Sequence, residues 1–136
     1  MVTYGGGSRL IPEAERFDLL RNFWCDLMSS VSWNGSGNAV AAVLARIAFV
    51  LLAGGSLRFF LAAAEHIEHS LFARIVRLAG IGTAVFLVAT VLMPWGVMPT
   101  VHAAVTLLAG GCGIVAVAFA APATLRFDPW RRTRFG

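Results

Sequence analysis

Long apolar runs alternate with short polar breaks along this chain, and that pattern sets its architecture. Residues 39–64 read AVAAVLARIAFVLLAGGSLRFFLAAA, residues 75–98 read IVRLAGIGTAVFLVATVLMPWGVM, and residues 101–123 read VHAAVTLLAGGCGIVAVAFAAPA. A hydrocarbon core about 30 Å thick is crossed by roughly 20 helical residues, so each run is long enough to span a bilayer. Before residue 39 the pattern changes. Phe17, Leu20, Trp24, Leu27, Met28 and Val31 recur at intervals of three and four, while Asp18, Arg21, Asn22, Cys25 and Ser29 occupy much of the remaining surface. This spacing predicts an amphipathic helix over residues 13–31, too short and too charged to span. It would lie on the membrane surface or fold over the bundle. YGGGS at 4–8 reads as flexible, and IPEAER at 11–16 as the start of a short helix with Pro12 near its first turn. WNGSGN at 33–38 reads as a turn, because Asn-Gly favours positive backbone angles, and Asn38 is placed to cap the first span.

The expected fold is therefore all-α: an integral membrane protein with three transmembrane helices preceded by an amphipathic interfacial helix. Its parts are an extracytoplasmic amphipathic segment at 1–38, a transmembrane domain at 39–124 and a basic cytoplasmic tail at 125–136. The first apolar run starts too late, and lacks the short basic lead, to resemble a cleaved signal peptide.

Composition reinforces the bilayer reading. Hydrophobic residues make up 58% of the chain and charged residues 13%, against about 25% charged in a typical soluble domain. The net charge is +4, carried by arginine with no lysine. Those arginines are scattered between apolar runs and form no basic face, which argues against nucleic-acid binding. Absence of lysine beside abundant Ala, Gly and Arg reads as genomic base composition. With three spans, Arg58, Arg74, Arg77, Arg126, Arg131, Arg132 and Arg134 fall on one side, and Arg9, Arg16, Arg21 and Arg46 on the other. Arginine-rich loops stay in the cytoplasm. The N-terminus is therefore expected outside the plasma membrane and the C-terminus inside, with Trp95 at the outer interface and Trp130 at the inner one.

One segment carries a family resemblance. Tyr4 to Ser8, NFWCDL at Asn22 to Leu27 and NGSGN at Asn34 to Asn38, followed at once by a span, resemble a connection between spans in a family of bacterial multi-pass membrane proteins. That family is domain of unknown function 998, distantly similar to the DRAM and Sfk membrane proteins. The resemblance extends loosely through the three spans. It implies that the segment lies outside the cytoplasm and that relatives carry further spans, so this chain reads as a shortened relative or an internal start. It implies no catalytic residues.

Candidate chemistry is sparse. Arg46 and Arg58 each lie six residues from Leu52, near the centre of the first run. About 9 Å separates each from the midplane, within reach of snorkelling. The sharper reading turns one of them inward as an anion site. Arg58 also shares a helix face with Glu65. Glu65, His66 and His69 sit in the polar break EHIEHS and are weak metal candidates; no second cluster supports them, and a solvated turn is the plainer reading. Carboxylates there can pair with Arg74 or Arg77. His102 opens the third run as an interfacial residue or proton relay. Asp26 is a candidate acid, otherwise contacting water, Arg21 or Arg46. Its neighbour Cys25 is a reactive thiol or an inert one, and Cys112 a packing residue. Ala109, Gly113, Ala116 and Ala120 form a small-residue stripe on the third run, with Gly80 and Ala84 on the second; such stripes let helices approach closely.

No nucleophilic triad, phosphate loop or nucleotide fingerprint is present, and no cofactor is implied. The expected function is a non-catalytic integral membrane protein with a structural, sensory or partner-binding role. Its partners are the lipid bilayer and a second copy or another membrane protein. A small oligomeric transporter or channel, for an anion, is one alternative. A membrane enzyme acting on lipid headgroups through Asp26, Arg46 and His102 is the other.

Overall fold

The computed structural model describes residues 3–93 and 95–125. Three long helices dominate it: α1 at Ala39–Glu65, α2 at Ser70–Leu92 and α3 at Pro99–Leu125. All three are long and apolar enough to cross a membrane. At 1.5 Å per residue the shortest is roughly 35 Å long, longer than the hydrocarbon core. Arg126, Trp130 and the rest of the basic tail lie outside the described residues.

Helix boundaries follow local chemistry. Helix α2 begins at Ser70, earlier than the apolar run suggests, after a turn at residues 66–69. It ends before Met93, whose φ of −113° and ψ of 83° are non-helical. Met93 precedes a proline, and that position disfavours the helical region. Helix α3 opens on Pro99, whose missing N–H would have had no intrahelical partner there.

Helix α2 is the middle element. It packs along both α1 and α3, whereas α1 and α3 touch each other only slightly. The resulting row has one apolar cluster at the end far from residue 38. Phe60 and Ala64 of α1, Val76 of α2 and Ala116 and Ala120 of α3 are buried together there. Phe72 and Phe119 close it edge to face, with ring centroids 5.2 Å apart.

The small residues lie inside this row. Ala84, Ala109, Ala116 and Ala120 are buried. A Cβ added at Gly80 would overlap the Cβ of Phe60, and one added at Gly113 would stand 3.7 Å from the Thr83 Oγ1. The stripe on α3 is thus largely covered by α2 of the same chain. Three threonines within the helices bond to their own backbone. The hydroxyls of Thr83, Thr90 and Thr106 donate to the carbonyls of Ala79, Phe86 and His102, at 2.8–3.0 Å. Hydrocarbon cannot satisfy such groups, so the fold does.

Residues 13–31 do not form the continuous amphipathic helix expected of them. The segment is a series of turns with one 3-10 helix at Trp24–Met28. Its apolar positions share no buried face: Met28 is buried, while Leu20, Trp24 and Val31 are exposed. Side-chain competition explains the break. Asn22 Oδ1 accepts from the Asp18 N–H, Asp18 Oδ1 from the Leu20 N–H and Asp26 Oδ2 from the Phe23 N–H. Each side chain offers the backbone a turn in place of a helical bond. The expected short helix after Pro12 is likewise a turn.

Candidate functional site

The polar N-terminal segment folds into a cap on the end of the row where α1 begins, α2 ends and α3 begins. Its three sequence motifs meet there. The carbonyl of Gly7 accepts the Tyr4 hydroxyl at 3.1 Å and the Asn22 Nδ2 at 2.7 Å. The carbonyl of Gly5 accepts the Asn34 Nδ2 and the Ser36 hydroxyl. Asn38 donates from Nδ2 to the carbonyls of Leu27 and Ser29 at 3.2 and 2.8 Å. Tyr4–Ser8, read as flexible, is therefore packed: Tyr4 and Ser8 are buried, and the Tyr4 ring meets Phe17 edge to face at 5.4 Å. Gly7 has φ +81° and no room for a Cβ beside Pro12 and Asn34, so only glycine suits it. The WNGSGN turn forms around Gly35 at φ +81° and is closed by a bridge between Val31 and Gly37.

The cap is pinned to the spans by two residues, Asn38 and Arg46. Asn38 stands at the helix N-cap but makes no side-chain capping bond; its amide reaches back to the cap instead. Arg46, on α1, reaches back to the cap. Its Nη2 donates to the Met28 carbonyl at 3.0 Å, and its Nε is buried without a partner.

Asp26 is 8% exposed. Its Oδ2 accepts from the Phe23 N–H at 2.9 Å and from Asn22 Nδ2 at 3.2 Å. It contacts neither Arg21, which faces Asp18 at 3.6 Å, nor Arg46. The half-buried Cys25 thiol has its pKa pushed up from 9.0, first by burial and then by the Asp26 charge, with a smaller opposing effect from the Thr106 hydroxyl. Burial and Asp26 also raise Tyr4 above its ordinary 10.0. Cys25 is thus held as a neutral thiol, the opposite of an activated nucleophile.

Cys25 and Asp26 wall a cavity of about 360 Å³ between the cap and the α2–α3 turn, with Ser29, Ser32, Trp33 and Trp95. Below it His102 is buried. Its Nδ1 donates to the Met93 carbonyl at 2.6 Å, its ring meets Trp95 edge to face at 5.8 Å, and its Nε2 has no partner. Asp26, Arg46 and His102 therefore share one end of the row, with Arg46 and His102 each committed to a backbone carbonyl.

The other candidates lie apart. Arg58 is exposed on α1, and no ion pair joins it to Glu65 among the described residues. His66 and His69 flank the α1–α2 turn rather than a helical extension. His66 Nδ1 lies 2.8 Å from the Ala62 carbonyl, and His69 packs on Phe72. No group of three or more His, Cys, Asp or Glu is placed to hold a metal among the described residues. Sequence reading missed Tyr4, Ser32 and Trp33 as parts of the cap. The available signal was the polar file Asp18, Asn22 and Asp26, spaced by four and able to cap turns.

Comparison with protein-family models, with curated proteins and with solved structures gives no match.

Proposed function

We propose that this chain is a non-catalytic membrane subunit that packs against other transmembrane helices, from a second copy or from a different membrane protein. The carrying observation is the open row: α1 and α3 flank α2 and scarcely touch each other. Only 17% of the α1 span and 22% of the α3 span are buried within the chain, which leaves broad faces for lipid or helices. Exposed glycines punctuate both faces, at Gly54 and Gly55 on α1 and Gly110 and Gly111 on α3, each with open space around it. Close packing is a main source of association energy in lipid. The cap supports the same reading, because its polar groups mostly hold the fold and Cys25 is kept neutral. The arginine distribution and the family resemblance favour a bacterial plasma membrane, with the cap outside and the C-terminus in the cytoplasm.

Single cysteines at Gly54 and Gly110, in a chain lacking Cys25 and Cys112, should cross-link in native membranes to another copy or to a discrete partner. A monomer in nanodiscs, with no cross-link in membranes, would overturn the proposal. A cysteine placed at Gly136 should resist an impermeant reagent added to whole cells; labelling from outside would reverse the orientation.

A further inference from the structure

The cavity beneath the cap combines features that the packing role leaves unused. Asp26 is 92% buried as judged by its 8% exposure, yet no arginine or histidine pairs with it among the described residues. Buried aspartates almost always have a charged or metal partner. Both of its hydrogen bonds fall on Oδ2, and Oδ1 accepts none among the described residues. Asp26 stands on the cavity wall beside two indoles, Trp33 from the cap and Trp95 from the α2–α3 turn. Indole faces attract weakly hydrated cations, above all alkylammonium groups. About 360 Å³ lies within the range of small-ligand sites.

We propose that this cavity binds an organic ammonium group of the size of choline or ethanolamine, with Asp26 as counter-charge and Trp33 and Trp95 as aromatic walls. The ligand class follows from what the walls offer. A hard divalent cation takes six to eight oxygens or keeps its own waters, whereas Asp26 is the single carboxylate on this wall. A phosphate is repelled by Asp26, and Arg46 is not on the wall. The neutral Cys25 thiol adds no competing charge and leaves Asp26 as the only ionised group on the wall. Trp95 follows the end of a spanning helix, at the level where indoles meet headgroups. The ammonium can therefore come from a lipid headgroup or from a free amine in solution. The site stands whether the chain acts alone or as a subunit.

The test uses the full chain in nanodiscs of phosphatidylglycerol, titrated with choline and with tetramethylammonium at constant ionic strength, with sodium as control. Binding is read by equilibrium dialysis of labelled choline and by tryptophan fluorescence. Saturable binding is expected, at least tenfold weaker in Asp26→Asn and in Trp95→Leu. Asp26→Asn keeps an acceptor for the Phe23 N–H but can still loosen the cap; Trp95→Leu touches no cap hydrogen bond and decides the matter if the first variant does not fold. Nanodiscs containing phosphatidylcholine or phosphatidylethanolamine separate the sources. A headgroup ligand should suppress choline binding there, and a free-amine ligand should leave it unchanged; either result supports the site. Absence of saturable binding in phosphatidylglycerol, or binding equal in wild type and Trp95→Leu, overturns it.

Discussion

Gly80→Ala tests the contact between α1 and α2 with one methyl group. The new Cβ overlaps the Cβ of Phe60 and approaches its Cγ at 3.0 Å and Cδ2 at 3.2 Å. Phe60 is 6% exposed and belongs to the buried cluster. A Cβ is fixed to the backbone and cannot swing aside, so the helices must move apart. Overpacking of this kind costs about 1–3 kcal/mol. Helix propensity opposes it, since alanine is better than glycine by about 1 kcal/mol in water. That gain shrinks in lipid, where the backbone is already held helical. A net loss of about 1–2 kcal/mol is expected, a factor of roughly 5–30 in the folded-to-unfolded ratio. Gly54→Ala and Gly110→Ala are the controls, because each has nothing within 4 Å; both should stay within about 0.5 kcal/mol of wild type. Reversible unfolding in mixed micelles with rising dodecyl sulfate measures all three. If Gly80→Ala is as stable as the controls, the α1–α2 interface described above is wrong.

Gly113→Leu should destabilise the single chain by about 1–3 kcal/mol in the same assay, because it presses on Thr83 of α2; a change in oligomer size without loss of stability would contradict an intramolecular role. Asn38→Ala removes the donor to the Leu27 and Ser29 carbonyls, at a cost of about 1–3 kcal/mol. Protease cleavage within residues 1–38 should rise sharply and leave the spans intact. Tyr4 is the single tyrosine, and its folded pKa lies above 10.0. Its contribution is therefore complete below pH 10 and lost as pH rises through the folded value; Cys25, raised from 9.0, acts in the same direction. Tyrosinate absorbance should appear later than in the denatured chain and coincide with cap opening, and a titration identical to the denatured chain would refute the buried placement.

The spans were legible in sequence because each is a single long apolar run, and hydropathy alone decides what a bilayer accepts. Ala39–Glu65 differs by one residue from the first run. The second helix differs more, because Ser70 to Arg74 is amphipathic enough to be helical without being apolar. The cap was not legible in its true form. Phe17, Leu20, Trp24 and Leu27 have helical spacing, yet Asp18, Asn22 and Asp26 bond to nearby backbone and break the helix first. Arg46 was read against lipid depth, whereas its reach to Met28 depends on a tertiary fold that no local pattern encodes. The cavity is less legible still, since Asp26 and Trp95 are separated by two whole spans.

The separation of the cap's own bonds has a consequence for biosynthesis. Apart from the approach of Cys25 to the Thr106 hydroxyl, the cap hydrogen bonds described above join residues between Tyr4 and Arg46, the longest spanning 31 positions. The cap can therefore close on the first turns of α1 while the remainder of the chain is still on the ribosome. Trp95 is made about 50 residues after Arg46, roughly 2–10 s later at ordinary translation rates. It reaches the cap only if the α2–α3 hairpin inserts with its turn on the same side of the membrane. The cavity is thus completed last, and its presence in a mature molecule certifies that both later spans were threaded in the correct sense.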